Sequence, residues 1–336
     1  MVAITCPNCA ADLDIPAGSP IHTCDYCGTA IQVKIATGEA GEGAQKEDSI
    51  IKDHYIIRCK YPQEKAKNLM VEWVKKIPGA PQDFESVANI HTLNLKFYPL
   101  WVGQYKAITD YVGLDDWPQF NKPAHDRPGW YEHVSYYKRE ENGKVLREYQ
   151  IPLMALPDAK LPKYLREYLV TTTGKEYFDI NHVKKLGGQI IDSTFEMDEA
   201  KQEMNKQVHN RQTKEVKKEV THIKTRNDDL EERGVFYIHF PVYEIEFSYG
   251  GKAHDALIDG SSGRIIHVKV PVSKEFRVQT LISALIFIGA GLGLLIPGTL
   301  VQEMLFIGLI GGIGLMIVGV MFIALNLRRK ASERQV

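Results

Sequence analysis

The longest apolar runs lie near the C-terminal end, from Val278 to Ile296 and from Met304 to Leu325. Each holds about 20 residues without a charge, enough for a helix to cross about 30 Å of hydrocarbon. Only Pro297-Gly298-Thr299-Leu300-Val301-Gln302-Glu303 separates them, which predicts a tight turn. A buried pair of soluble helices is the alternative, but such helices carry a polar stripe. Here the strongly polar interruptions are Gln279, Thr280 and Ser283, all close to the start of the first run. The pattern therefore predicts a two-helix transmembrane hairpin over 278–325 and a basic tail over 326–336.

Upstream, the periodicity alternates between helix and strand. Tyr55–Cys59 reads as a strand. Ala66, Leu69, Met70, Trp73 and Val74 recur at helical spacing between Pro62 and Pro78-Gly79. Leu93–Ile108 reads as a strand around Phe97-Tyr98-Pro99-Leu100-Trp101. Tyr131–Arg139 and Val145–Ile151 flank Asn142-Gly143, a strong hairpin signal. Leu161–Val170 suggests a short helix and Gln189–Asp192 a short strand.

The pattern then repeats. A long charged helix, about 197–226, carries Met197, Ala200, Met204, Val208, Val216, Val220 and Ile223 on one face. Its thin apolar stripe suits packing along a sheet, or else self-association or partner binding. Val235–Tyr249 follows, containing Phe240-Pro241-Val242-Tyr243, then a turn at Gly250-Gly251, Ala253–Ile258, and Arg264–Val270. Tyr243, Ile245, Phe247 and Tyr249 alternate with Glu244, Glu246 and Ser248, the mark of a half-buried antiparallel sheet. Tyr98-Pro99 and Phe240-Pro241 occupy equivalent places, so the expected body is a duplicated helix-plus-antiparallel-sheet unit. The first copy spans 50–160 with an insertion at 110–130, and the second spans 161–277. Proline within each strand suggests an edge or a bulge. The fold class is α+β.

Four of the five cysteines lie in the first 27 residues. Cys6-Pro7-Asn8-Cys9 and Cys24-Asp25-Tyr26-Cys27 are C-x-x-C pairs with 14 residues between them. Two such knuckles complete a tetrahedral thiolate shell, for which one structural Zn²⁺ is the expected occupant and iron in a rubredoxin-like site the alternative. A closed shell leaves no position for water, so the expected role is structural. Residues 1–35 read as a zinc ribbon, and 36–49, rich in Gly, Ala and Glu, as a flexible linker that leaves the ribbon mobile. Cys59, in an apolar run, reads as a core residue.

The net charge is −1, with 25% charged residues over 336 positions. Residues 1–40 contain one cation, Lys34, against Asp12, Asp14, Asp25 and Glu39. Nucleic-acid affinity rests on several phosphate-binding cations, so a membrane-tethered nucleic-acid binder is the weaker alternative and a protein-docking knob the favoured one. Lys269, Lys274 and Arg277 precede the hairpin and Arg328, Arg329, Lys330 and Arg334 follow it, while the connecting turn has no Lys or Arg. Both ends are therefore expected on the cytoplasmic side. Gly289/Gly293 and Gly308/Gly312 are G-x-x-x-G pairs, suited to packing the two arms together or to homo-oligomerisation.

Asp110, Asp115, Asp116, His125, Asp126 and His133 could be hard-metal ligands or an acid–base group of an enzyme, but their spacing matches no ligand signature. His209 and His222 read as surface histidines, and Glu244 and Glu246 as a solvated sheet face. G-x-S-x-G, H-E-x-x-H and G-x-x-x-x-G-K-[ST] are missing. No catalytic residue is assigned.

The layout resembles a family of prokaryotic membrane-anchored zinc-ribbon proteins, some labelled primosomal-helicase-like. The resemblance rests on CPNC…CDYCG, on Phe97-Tyr98-Pro99-Leu100-Trp101, on Phe240-Pro241-Val242-Tyr243 followed by Tyr249-Gly250-Gly251-Lys252 and Asp259-Gly260-Ser261-Ser262-Gly263, and on the C-terminal runs. It implies a non-enzymatic anchor or adaptor in a prokaryotic plasma membrane, working with peripheral membrane-maintenance proteins. A helicase would need a P-loop, so that label does not fit these residues.

Overall fold

The chain begins with two small sheets. Strand β1 (Val2–Thr5) pairs antiparallel with β2 (Asp12–Ile15). Strand β3 (Ile21–Thr23) pairs with β4 (Ala30–Gln32), whose far edge takes β5 (Ser49–Ile50). The protein is described as a computed structural model covering residues 2–16, 19–33, 49–121, 133–300 and 305–328. Most of the expected linker, the centre of the insertion with His125 and Asp126, part of the expected turn at 297–303 and the basic tail lie outside the described residues.

A mixed α/β body follows, built on one eight-stranded sheet. Its elements in order are β6 (His54–Ile57), α1 (Gln63–Lys76), α2 (Phe84–Val87), β7 (Asn89–Asn121), β8 (His133–Met154), β9 (Lys175–Tyr177), α3 (Ile180–Lys185), β10 (Gln189–Ile190), α4 (Met197–Glu219), β11 (His222–Tyr249), β12 (Lys252–Asp259) and β13 (Ile265–Val268). A 3-10 turn at Asp158–Lys160 follows β8. The spine is the antiparallel pair β7–β11, paired from Asn89↔Ser248 to Leu114↔His222 with register shifts at Ile223/Thr225, Glu232/Gly234 and Glu246/Phe247.

The outer neighbours change at matching points on the two long strands. On β7, β10 runs parallel with Ile190 opposite Phe97, and β8 takes over from Leu100. On β11, β6 runs parallel with Ile56 opposite His239, and β12 takes over from Val242. Pro99 and Pro241 sit at these changeovers. Their carbonyls accept from Ala155 N–H at 3.0 Å and Gly260 N–H at 2.9 Å on the outer side. Because N–H and C=O of an antiparallel residue point the same way, the missing proline N–H also faces outward and removes no β7–β11 bond. The expected edge position is therefore corrected: both prolines lie in central strands.

Core residues fill both faces. Ala66, Met70 and Val74 of α1 pack on Phe97, Tyr243, Ile245 and Phe247. Ala200, Met204 and Val208 of α4 pack on Trp101, Tyr105 and Tyr237. The opposite face, with Tyr98, Leu100, Ile238 and Phe240, is covered by Leu156, Leu161, Leu165 and Val170. That last segment forms turns, not the expected helix over 161–170.

Two further expectations are corrected. Asn142-Gly143 is not a hairpin turn: β8 runs straight through it, opposite Val112 and Tyr111. A Cβ on Gly143 would lie 2.6 Å from the Tyr111 hydroxyl, so this glycine serves close approach. The long helix stops at Glu219 rather than about 226, because the β-branched Val220, Thr221 and Ile223 favour strand and Val220 packs beneath Gly113. The described part of the insertion, 110–121, is strand, and β7, β8 and β11 project there as a three-stranded arm.

After Pro271, α5 (Lys274–Leu300) and α6 (Leu305–Arg328) form an antiparallel pair. The first helix carries on through Pro297 to Leu300, beyond the point where a turn was expected. Within it, Glu275–Ile296 is long and apolar enough to span a membrane; Leu309–Ala324 is a shorter apolar helix. Phe287 stacks on Phe322 with ring centroids 5.7 Å apart. The seam is glycine-lined, since a Cβ on Gly291 would lie 2.7 Å from the Gly312 carbonyl and one on Gly319 2.9 Å from that of Ala284. Val278, Leu281, Ile282, Leu285 and Ile286 of α5, and Ile310, Ile317, Val320 and Met321 of α6, face outward and exposed.

Candidate functional site: a four-cysteine cluster seated on the sheet

The two knuckles have the same backbone design. Ala10 N–H donates to the Cys6 carbonyl at 2.9 Å, and Gly28 N–H to the Cys24 carbonyl at 2.8 Å. Ala10 and Gly28 follow the second cysteine of each knuckle, and both have positive φ, +59° and +78°. Each turn presents its two sulfurs to the same point. Sγ of Cys6 and Cys27 are 3.7 Å apart, those of Cys9 and Cys24 3.8 Å, and all four lie within 4.8 Å of one another. A tetrahedral ion with metal–sulfur bonds of about 2.3 Å requires sulfur–sulfur edges of about 3.8 Å. The cluster can hold a metal ion, and its donors suit zinc or iron.

Electrostatics separates Cys24 from Cys27. Burial pushes Cys24 up to about 12. Burial also raises Cys27, but hydrogen bonds with Thr29 and Asn8 outweigh it and bring that thiol down to about 6. The Asn8 amide donates to Cys27 Sγ at 3.6 Å and to Thr29 Oγ1 at 2.9 Å. Cys27 thus offers a thiolate at neutral pH, while Cys24 would release its proton to solvent as an ion binds.

The cysteine module does not hang free, as the composition of 36–49 suggested. Ile21 and Ala30 join the core cluster of Trp101, Met204 and Tyr237. The Asp192 carboxylate lies 2.7 Å from His22 Nδ1 and accepts from Thr23 N–H at 2.9 Å. Gly28 lies against Phe178, where a Cβ would come within 2.9 Å of the ring. Phe178 stacks on His54 with centroids 4.2 Å apart. His54 Nε2 lies 3.0 Å from His239 Nδ1. Burial pushes His54 well below its ordinary value and His239 to about 4. Tyr237 Oη accepts from Ser193 N–H at 3.2 Å, completing a buried polar layer beneath the cluster.

The other singled-out groups do not converge. Asp110 pairs with Lys144 at 3.4 Å and Asp116 with Lys138 at 3.0 Å, on separate rungs of the arm. Asp115 lies opposite Arg139 in the ladder, and His133 opens β8. Among the described residues, the four cysteines form the one cluster able to hold a metal. His209 Nδ1 lies 2.7 Å from Asp228 Oδ2, while His222 opens β11. Glu244 is not simply solvated, since it accepts from Tyr98 Oη and from Lys96 Nζ, the latter at 2.6 Å; Glu246 is exposed. Cys59 is buried, with Sγ 3.5 Å from Tyr243 Oη. Asp192 and the His54–His239 pair were not anticipated, because each stands isolated in sequence and gains its partner only through the sheet.

No family model, no curated protein and no solved structure matches the chain.

Proposed function

We propose that this chain is a membrane-anchored adaptor whose N-terminal module is a structural zinc ribbon, held on the cytosolic side and used to recruit a protein partner. The observation that carries this is the outward face of the C-terminal helices. α5 and α6 bury one glycine-lined seam against each other and leave large apolar side chains on the remaining surface. Lipid is the solvent that suits such a surface, which favours a two-span hairpin with α5 and α6 as its arms. Basic flanks on both sides of the hairpin favour a cytosolic body and tail.

The four-thiolate shell favours a structural ion, and zinc over iron in a cytosolic protein. The knuckle tips, with exposed Asn8 and Asp25 and a 64% exposed Tyr26, form the docking surface in this reading. Internal duplication of the body is part of the same proposal. It is supported by the matched order β6–α1–β7–β8 and β10–α4–β11–β12, and by the matched changeovers at Pro99 and Pro241. Membership of the membrane-anchored zinc-ribbon family that the layout resembles belongs with this reading.

Two measurements test it. The full chain should resist carbonate extraction from membranes, whereas residues 1–273 should stay soluble. Affinity purification from membranes should recover a partner that Asp25→Lys with Tyr26→Ala loses. A chain extracted by carbonate would end the anchor reading, and a partner set unchanged by the double variant would end the docking role of the knuckles.

A further inference from the structure

The first apolar helix leaves the body beside a cleft of about 960 Å³. Three separate stretches wall it: the turn after α1, the β11–β12 hairpin, and the approach to α5. Lys252 and Arg277 bring cations to this cleft, and Asp83 and Glu275 bring carboxylates. One Asp83 oxygen accepts from Tyr249 Oη at 2.7 Å. His254 forms part of the wall and is 6% exposed, its ring stacked on Phe247 with centroids 5.3 Å apart. Neither of its ring nitrogens has a hydrogen-bonding partner of normal geometry. The Lys269 backbone, a polar neighbour, can serve at most one of them.

The level of the cleft along α5 matters as much as its lining. Arg277 belongs to the wall, and exposed apolar side chains begin at the next residue, Val278, and continue through Leu281, Ile282 and Leu285. On the membrane reading proposed above, on which this inference rests, that boundary is where lipid headgroups lie. A cleft with both signs of charge at that depth matches a headgroup that carries both signs. The geometry points to a binding site for one zwitterionic phospholipid headgroup, its phosphate held by Lys252 and Arg277 and its primary ammonium by Asp83 and Glu275. The mixed lining is what selects this ligand, because a purely anionic headgroup has no positive charge to set against the two carboxylates. Bound there, a lipid would tie the helix entry to the sheet and fix how the body stands on the membrane.

The test is native mass spectrometry of the full chain in detergent, titrated separately with phosphatidylethanolamine, phosphatidylglycerol and inorganic phosphate. The wild type should retain one phosphatidylethanolamine at least tenfold more tightly than phosphatidylglycerol. Lys252→Glu and Glu275→Gln, both at exposed positions, should each lose that preference, while Lys60→Glu, an exposed cation away from the cleft, should keep it. Equal retention of phosphatidylglycerol, saturation by inorganic phosphate alone, or variants indistinguishable from wild type would overturn the site. Failure of the membrane reading would show separately, as a full chain that does not float with liposomes of any composition.

Discussion

Asp192, two residues past the short strand β10, lies 2.7 Å from His22 Nδ1 of the cysteine module and also accepts from the backbone N–H of Thr23. Thr23 is 1% exposed, so its N–H has no recourse to water if the carboxylate goes. Asp192→Ala should therefore cost about 1–2 kcal/mol, the usual penalty for stranding one buried donor. Asp192→Asn keeps an acceptor and should cost less. Amide exchange at residues 21–33 should accelerate in the alanine variant while the β7–β11 ladder stays protected. Unchanged exchange in the module would show that apolar contacts alone hold it.

Metal removal should act on the same junction. The module's own core is small, consisting of Ile4, Leu13, Ile15, Ile31 and Val33 around Cys6 and Cys24. A core of that size does not hold a fold without its ion. Elemental analysis should find one zinc per chain, and Cys9→Ser should lose it. A chelator should then expose the module to protease, with cleavage inside residues 2–33, and leave the sheet intact. Full occupancy in Cys9→Ser would exclude the four-thiolate shell.

The two knuckle turns make opposite predictions for the residue after the second cysteine. Ala10 is exposed and holds φ at +59°, a conformation that suits glycine, so Ala10→Gly should stabilise by up to about 1 kcal/mol. Gly28 has the same sign of φ and lies under Phe178 and Ile180, so Gly28→Ala should be destabilising through both strain and overlap. Thermal melts of the two zinc-loaded variants give the comparison directly.

The four cysteines could be read from the sequence because knuckle geometry is local: two residues between thiols set both sulfurs on one turn. The apolar runs at 278–325 were equally legible, since their signal is length and composition. Legibility failed where partners come from far along the chain. Asn142-Gly143 looks like a turn in isolation, and only the Tyr111 ring across the ladder explains a glycine there. Val220-Thr221-His222-Ile223 continues the helical spacing of α4, yet His222 and Ile223 are claimed by β7 as strand partners. Pro99 and Pro241 suggested an edge because the changeover of outer strands that accommodates them is a property of the whole sheet. Asp192, His54 and His239 lacked any local signature for the same reason.

Acid should weaken the body through its buried histidines. His239 is fully buried and held at about 4, and His54, at 7% exposure, is well below its ordinary value. In the unfolded chain both take a proton near pH 6.5. A folded value below the unfolded one means the contribution to stability is present above pH 6.5 and is lost as pH falls towards 4. For His239 the loss amounts to about 3 kcal/mol across that window. His22 works in the opposite direction: burial lowers it, but the Asp192 hydrogen bond and the charges of Asp192 and Asp25 together outweigh burial and raise it, so its contribution fades as pH rises. Protonation of the thiolates adds to the acid loss, so the diagnostic is a difference: melts from pH 7 to 4.5 should fall less steeply in His239→Gln than in the wild type. Parallel profiles would mean that the pair does not govern the acid limb.

The glycines of the C-terminal helices divide into two groups that substitution should separate. A Cβ on Gly312 would meet the Leu295 side chain at 2.6 Å and the Gly291 carbonyl at 2.7 Å, and a Cβ on Gly291 would meet the Gly312 carbonyl at 2.7 Å. Backbone cannot move aside as a side chain can, so Gly291→Ala and Gly312→Ala should push the helices apart at a cost of about 1–3 kcal/mol each. Gly289 and Gly293 have nothing within 4 Å and lie on the outward face of α5. The G-x-x-x-G pair at 289/293 therefore does not pack the hairpin, and Gly289→Ala with Gly293→Ala should leave its thermal stability in detergent unchanged. If that face joins two copies of the chain in lipid, the same outer pair should shift the monomer–dimer balance seen by crosslinking in liposomes, and Gly291→Ala should affect it only through loss of the hairpin. A stability loss at Gly289 equal to that at Gly291 would contradict the placement of the seam.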